Sequence, residues 1–340
     1  MTITIGVHAS NPSLYHLYHL TRHGFAQQEL EPLGESVAFH PYSNGVRTGE
    51  LLSRGVIDFG GTGSTPPVTA QAAGHDLVYT AVSAPRPEHG ALLVPEDSPL
   101  RTAADLKGRT VHLAIGSWQT HLIAKALDDA GLSYADDITA ERSTENSEQL
   151  LRTGAVAAWV AQGPQLAGAP PPPRGGAPER APARPAPRPR GWVGGARTRG
   201  AAARGARSPP LPPPPPPGGG LRTLIRTGDV ITDRSVFFTR RALAEERPEI
   251  IDALTRALRR ADDWAAAHPR DAARIASADL GGTVEDWESA LSALPWRIEE
   301  VGDAFLAEQQ EAADIFHRTG FIERPVTVAH AVAHAPAKAV

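Results

Sequence analysis

Residues 49–73 read GELLSRGVIDFGGTGSTPPVTAQAA. An amphipathic helix stops at Gly55, an apolar strand follows over 56–59, and the chain turns through Gly60-Gly61-Thr62-Gly63-Ser64. Thr65-Pro66-Pro67 then opens the next helix, where proline is tolerated because first-turn N–H groups have no helical partner. The glycines allow close approach of the backbone, Thr62 and Ser64 offer hydroxyls, and the new helix presents free N–H groups at its positive end. Such a turn is either a cradle for a small anion or an ordinary Gly-Ser connection, and its spacing alone leaves both open.

Outward from that turn the same alternation continues. Short β-type runs are expected at 2–8, 36–43, 57–62, 76–83, 90–95, 110–115, 138–143 and 155–161. Helical patterns lie between them at 13–30, 45–53, 65–73, 118–130 and 145–152, with Gly24, Gly55, Gly74, Gly131 and Gly154 as stop signals. Strands alternating with helices argue for an α/β protein with mostly parallel sheets covered on both faces. Two further strands are expected at 221–226 and 235–239, followed by helices at 248–268, 283–293 and 301–320.

Three other loops deliver polar groups to a strand end. Gly116-Ser117-Trp118-Gln119-Thr120 places Ser117 at an N-cap, where its hydroxyl serves its own helix or faces a ligand; Trp118 is either an apolar wall or core packing. The first strand ends in His8-Ala9-Ser10-Asn11-Pro12-Ser13, and the 155–161 run ends in Gln162-Gly163-Pro164. Ligands of open α/β sheets bind outside the carboxyl ends of the strands, so four such loops define one candidate edge.

Composition bounds the chemistry. The 340-residue chain has no cysteine, which excludes disulfides, thiolate metal sites and a cysteine nucleophile. No run approaches the about 18 apolar residues of a membrane span. Residues 168–220 are almost entirely Pro, Gly, Ala and Arg, and their nine arginines and one glutamate give +8 within a chain totalling −4, which leaves −12 for the rest. An acidic globular part argues against nucleic acid as a partner. The 168–220 stretch reads as disordered or polyproline-like, and as either a genuine insertion or the product of a wrong reading frame in GC-rich DNA.

Histidines 16, 19 and 23 share a helical face, but without a carboxylate they read as surface rather than as a metal site. His8, His40 and the loop hydroxyls come nearest to a catalytic set, and their spacing matches no nucleophile elbow. No cofactor fingerprint is present; Gly60-Gly61-Thr62-Gly63 lacks the dinucleotide pattern.

The stretch from Gly55 to Pro67 with Gln71-Ala72-Ala73-Gly74 resembles the solute-binding proteins for aliphatic sulfonates, nitrate and taurine that serve ABC importers. Residues 92–95 with Ser98-Pro99 and Ala104-Asp105-Leu106-Lys107-Gly108, and Gly116-Ser117 after 111–115, match the same pattern. The resemblance implies a type II periplasmic-binding fold: two lobes joined by two crossovers, closing on a ligand in the cleft between them. Lobe I would comprise 1–84 and 230–340, and lobe II 85–229, interrupted by 168–220.

Ligand contacts carried over by position are Ser10, Asn11, Thr62, Gly63, Ser64, Ser83, Ser117, Trp118 and Gln162, with no metal and no cofactor. Of these, Ser83 alone comes from the resemblance and not from the loops. The implied ligand is a small organic anion, an alkanesulfonate before taurine or nitrate, handed by a monomeric binder to permease transmembrane subunits. Neutral donors and helix termini suffice for a fully ionised sulfonate. Relatives of this type act outside the cytoplasm, whereas Met1 leads directly into the first strand with no export signal, so a start further upstream or a cytoplasmic location is expected. The competing reading is a cytoplasmic enzyme on the same fold, desulfinase-like or acting on a pyrimidine precursor. It is disfavoured because such enzymes use cysteine, and Asn11 stands where a desulfinase nucleophile would fall.

Overall fold

The computed structural model describes residues 1–166 and 219–333. The low-complexity stretch expected at 168–220 therefore lies outside the described residues, save for Gly219 and Gly220.

The chain begins with β1 (Thr2–Val7), α1 (Pro12–His19), α2 (Phe25–Leu30), β2 (Ser36–Pro41), α3 (Thr48–Ser53), β3 (Phe59–Thr62), α4 (Thr65–Ala72) and β4 (Leu77–Ser83). It continues through β5 (Gly90–Pro95), β6 (Thr110–Leu113), α5 (Trp118–Asp129), β7 (Thr139–Arg142), α6 (Ser147–Arg152), β8 (Ala158–Gln162) and β9 (Leu221–Arg226). The last part holds β10 (Val236–Arg240), α7 (Arg241–Glu246), α8 (Pro248–Ala267), α9 (Pro269–Leu280), α10 (Val284–Ser292), β11 (Ile298–Glu299) and α11 (Asp303–Arg318).

Two sheets result. The first has the order β11-β4-β10-β3-β1-β2 and the second β7-β6-β8-β5-β9. The α/β class is as expected, but the sheets are more evenly mixed than the mostly parallel ones the alternation suggested. β1 pairs in parallel with β2 and β3, and β6 with β7 and β8. One central strand in each sheet runs the other way: β10 lies antiparallel between β3 and β4, and β5 antiparallel between β8 and β9. Each is the strand on which the chain enters that sheet from the other one, so its direction is set by the crossing and not by a βαβ return.

The expected helix at 13–30 is two helices. Gly24 adopts φ +64°, a left-handed conformation that ends the 3₁₀ turn at Thr21–His23 and redirects the chain into α2. β11, only two residues long, had no sequence signal of its own and is defined by its pairing with β4.

Burial explains the layers. On β10 the adjacent Phe237 and Phe238 are both fully buried and point to opposite faces. Phe237 packs with Ile3, Ile5 and Phe59 beneath Leu254 and Leu258 of α8. Phe238 joins the core that includes Leu113, Ile123 and Phe316. Helix α8 buries Ile250, Ala253, Leu254, Ala257, Leu258 and Ala261, a stripe at three- and four-residue intervals, and Pro248 occupies its first turn. Helix α11 packs on α5, with Arg318 bonded to Asp128 at 2.7 Å, and so ties the C-terminal part to the second sheet.

The chain crosses between the sheets at 84–89 and returns at 227–235, and the two crossovers run side by side. Arg86 N–H donates to the Asp233 carbonyl at 2.8 Å, Gly228 N–H to the Pro87 carbonyl at 3.0 Å, and Ser83 N–H to the Ser235 carbonyl at 2.8 Å.

Candidate functional site

The four loops singled out in the sequence do converge. Asn11 caps α1, its Oδ1 accepting from Leu14 N–H at 3.1 Å, and its fully buried amide sits directly under Gly61, where a Cβ would approach Asn11 Nδ2 to 2.7 Å. Thr62 ends β3 with its hydroxyl on the Gly63 carbonyl at 3.0 Å. Gly63 in turn packs on Trp118, since a Cβ there would lie 3.0 Å from Trp118 Cβ.

Loops from the two sheets are also bonded to each other. Thr65 Oγ1 donates to the Ser117 carbonyl at 2.7 Å, while Ser64 Oγ and His121 Nδ1 meet at 3.0 Å. Ser117 Oγ caps α5 by accepting from Gln119 N–H at 3.1 Å. Trp118 is 2 % exposed; its Nε1 donates to Gln162 Oε1 at 3.1 Å, and Gln119 Nε2 donates to the same oxygen at 3.2 Å. Trp118 fits because Gly90 carries no side chain: a Cβ there would come within 2.4 Å of the indole.

Beside this cluster opens a cleft of about 710 Å³. Ser10 borders it from the β1–α1 loop, Gln162 from the end of β8, Glu88 and His89 from the first crossover, and Trp287 and Leu294 from the α10 region. Ser10 and Gln162 thus border the cleft, whereas Asn11, Thr62, Gly63, Ser64, Ser117 and Trp118 belong to the adjoining cluster and do not line it. Ser83 stands apart. Its hydroxyl accepts from Ser235 N–H at 2.8 Å and donates to the Ala84 carbonyl at 2.9 Å, so it stitches the crossovers together and does not border the cleft.

Sequence reasoning missed the polar centre of the crossovers. Arg86 and Asp233 form an ion pair of 2.7 Å, with side chains 3 % and 0 % exposed. His89 Nδ1 lies 2.8 Å from the same Asp233 carboxylate, and its ring packs 4.9 Å from that of Trp118. Burial raises the Asp233 pKa, but Arg86, His89 and His121 outweigh it, and the carboxyl stays below its usual range. Burial, helped by Arg86 and opposed by Asp233, pushes His89 below its usual value, so the ring is neutral near pH 7. Arg86 and His89 are 147 and 144 residues from Asp233, so no local spacing could have joined them.

The histidines weighed earlier have structural places. His16 is buried with Nδ1 2.8 Å from the Pro12 carbonyl, His19 lies 3.6 Å from Asp279, and His23 stacks on Phe25. No cluster of metal-ligating side chains occurs among the described residues. His8 Nδ1 bonds Ser10 Oγ at 2.5 Å and Nε2 reaches the Ser43 carbonyl at 3.0 Å; burial lowers its pKa against that carbonyl.

This geometry matches known proteins. The sequence profile described as "ABC transporter, phosphonate, periplasmic substrate-binding protein" matches residues 13–169. The crystal structure of a periplasmic aliphatic sulphonate-binding protein from Escherichia coli superposes with TM-score 0.73 at 23% identity, covering 98% of this chain and 92% of that one. The chain has the two-lobed fold of the periplasmic substrate-binding proteins. A Xanthomonas axonopodis pv. citri alkanesulfonate-binding protein, solved with MOPS, superposes with TM-score 0.71 at 23% identity over 98% of each chain. A curated Escherichia coli protein named for aliphatic-sulfonates binding is 41% identical over 120 residues, a stretch covering 35% of this chain and 38% of that protein. A desulfurization enzyme shares the fold more distantly, with TM-score 0.55 at 16% identity over 98% of this chain and 96% of that one.

Proposed function

We propose that this protein is the solute-binding component of an ABC importer and captures a small organic sulfonate between its lobes. The observation that carries the reading is the convergence of strand-end loops from both sheets on one polar cluster beside a cleft of ligand size. Ser10, Gln162 and the loop N–H groups supply neutral donors, which suit an anion too weakly basic to need a charged partner. The names of the relatives support a sulfonate before nitrate or a phosphonate.

In this reading lobe I comprises 1–84 and 230–340 and lobe II 85–229, with the paired crossovers as hinge and α11 spanning both. The protein works outside the cytoplasm as a monomer and delivers its ligand to permease transmembrane subunits; nitrate is the lesser candidate. An enzymatic role receives no support from Asn11, which spends its oxygen capping α1.

Thermal melts and titration calorimetry against alkanesulfonates, taurine, nitrate, sulfate and phosphonates test the proposal. A ligand at a hundredfold excess over its Kd adds about 2.7 kcal/mol of stability. A dose-dependent rise with a sulfonate that is recovered unchanged is the expected result. A cooperative melt that no sulfonate moves would overturn it, and chemical turnover of the sulfonate would favour the enzyme.

A further inference from the structure

His89 borders the cleft with only part of its ring accounted for. Its side chain is 10 % exposed, Nδ1 is held by Asp233, and Nε2 has no hydrogen-bond partner among the described residues. The tautomer follows from the partner. Asp233 is ionised beside Arg86 and can only accept, so the proton of the neutral imidazole sits on Nδ1 and Nε2 carries a lone pair. The ring cannot turn over without losing Asp233, and Trp118 packs 4.9 Å away. The cleft therefore holds a fixed acceptor in the same lining as Ser10 and Gln162.

The charges around it have the same sense. Among the described residues Glu88 and Asp286 line the cleft and neither Lys nor Arg does, while Arg86 is turned inward to Asp233 and Ser235. A simple alkanesulfonate has only acceptors at one end and apolar hydrogens at the other, and would leave Nε2 unanswered in a partly desolvated site. We propose that His89 is a specificity-determining residue that accepts a hydrogen bond from the ligand, selecting organic sulfonates that carry a hydroxyl or ammonium group over plain alkanesulfonates. The proposal rests on the sulfonate-binding reading and sharpens it.

The test compares hydroxyethanesulfonate and aminoethanesulfonate with propanesulfonate, which has the same number of heavy atoms, by titration calorimetry of the full chain. Wild-type protein should bind the two donor-bearing ligands at least five- to tenfold more tightly, the lower bound being about what one neutral hydrogen bond supports. His89→Phe should bring that ratio close to one, and because the readout is a ratio between ligands a general loss of affinity does not alter it. His89→Gln, which keeps a donor for Asp233 and an acceptor for the cleft, should retain the preference. Equal affinities in wild-type protein, or a preference that survives in His89→Phe, would overturn the inference and leave sulfonate binding standing. Binding of no sulfonate at all would overturn both. If His89→Phe fails to fold, the wild-type comparison and His89→Gln still decide.

Discussion

The Ser64 hydroxyl and His121 Nδ1 meet at 3.0 Å, one at the head of α4 beside the first sheet and the other on α5 beside the second. Both are buried, and Gln309 from α11 donates to the Ser64 carbonyl at 2.6 Å, so three elements converge on one residue of the glycine-rich turn. The ring of His121 lies edge-on to Phe316, 5.7 Å away. The seam between the sheets is thus held by a neutral hydrogen bond inside an apolar surround.

That surround should make the protein acid-sensitive. Burial, with Lys125 adding to it and Asp233 opposing, depresses His121 from 6.5 to about 4. A histidine depressed on folding contributes stability that is complete above about pH 6.5 and is lost as pH falls through about 4. The shift corresponds to at most about 3 kcal/mol. Urea midpoints should fall over that window, and His121→Gln should flatten the decline. An unchanged acid limb in the variant would refute the assignment.

Asp262 should act in the opposite direction. Burial, together with Asp263 and against a hydrogen bond from Ser13 and the charge of Arg86, raises its carboxyl from 3.8 to about 7. Between these values the folded protein holds a proton that the unfolded chain has released, so stability declines as pH rises from about 3.8 to 7 and levels off above. Asp262→Asn keeps the size and removes the charge. It should gain about 1–3 kcal/mol over wild type at pH 8 and little at pH 4, read from denaturant midpoints at the two pH values.

What was legible in the sequence and what was not divides along chain distance. The turn at 60–64, the Ser117 cap and the proline-led start of α4 are local, because glycines and caps announce themselves within a few residues. Gly24 was legible as a stop signal inside the run read as one helix over 13–30, but that the chain starts a separate helix after it shows only in its left-handed φ. The insertion of β10 between β3 and β4 depends on where a strand returns after a long excursion, which periodicity does not encode. The Arg86–Asp233–His89 centre is the extreme case. Its members lie in two connecting segments 144 or more residues apart, and only the pairing of the crossovers makes them a buried site.

Gly90 should prove irreplaceable although its position in β5 demands no unusual backbone angle. An added Cβ would lie 2.4 Å from Trp118 Cη2 and 2.7 Å from the Ala161 carbonyl; the carbonyl is fixed by the pairing of β5 with β8, and the indole by its bond to Gln162. Gly90→Ala should therefore cost about 1–3 kcal/mol through overpacking and also weaken ligand binding, because the indole it displaces is bonded to Gln162. Chemical denaturation and calorimetry on the same preparation measure the two effects. A fully stable variant with wild-type affinity would show that Trp118 has room to move.

Gln162 permits its structural and ligand-binding parts to be separated. Its Oε1 accepts from both Trp118 Nε1 and Gln119 Nε2, whose residues are 2 % and 4 % exposed, and the residue borders the cleft. Gln162→Ala would strand two buried donors and should cost about 2–4 kcal/mol. Gln162→Glu keeps an oxygen for both donors, so its stability should stay within about 1 kcal/mol of wild type. It replaces the amide N–H₂ at the cleft by negative charge, however, and should weaken sulfonate binding at least tenfold. Denaturation curves and calorimetric titrations of the two variants provide the contrast. If Gln162→Glu bound a sulfonate as tightly as wild type, the anionic group would have to sit away from the end of β8, and Ser10 with the α1 terminus would become the place to look for it.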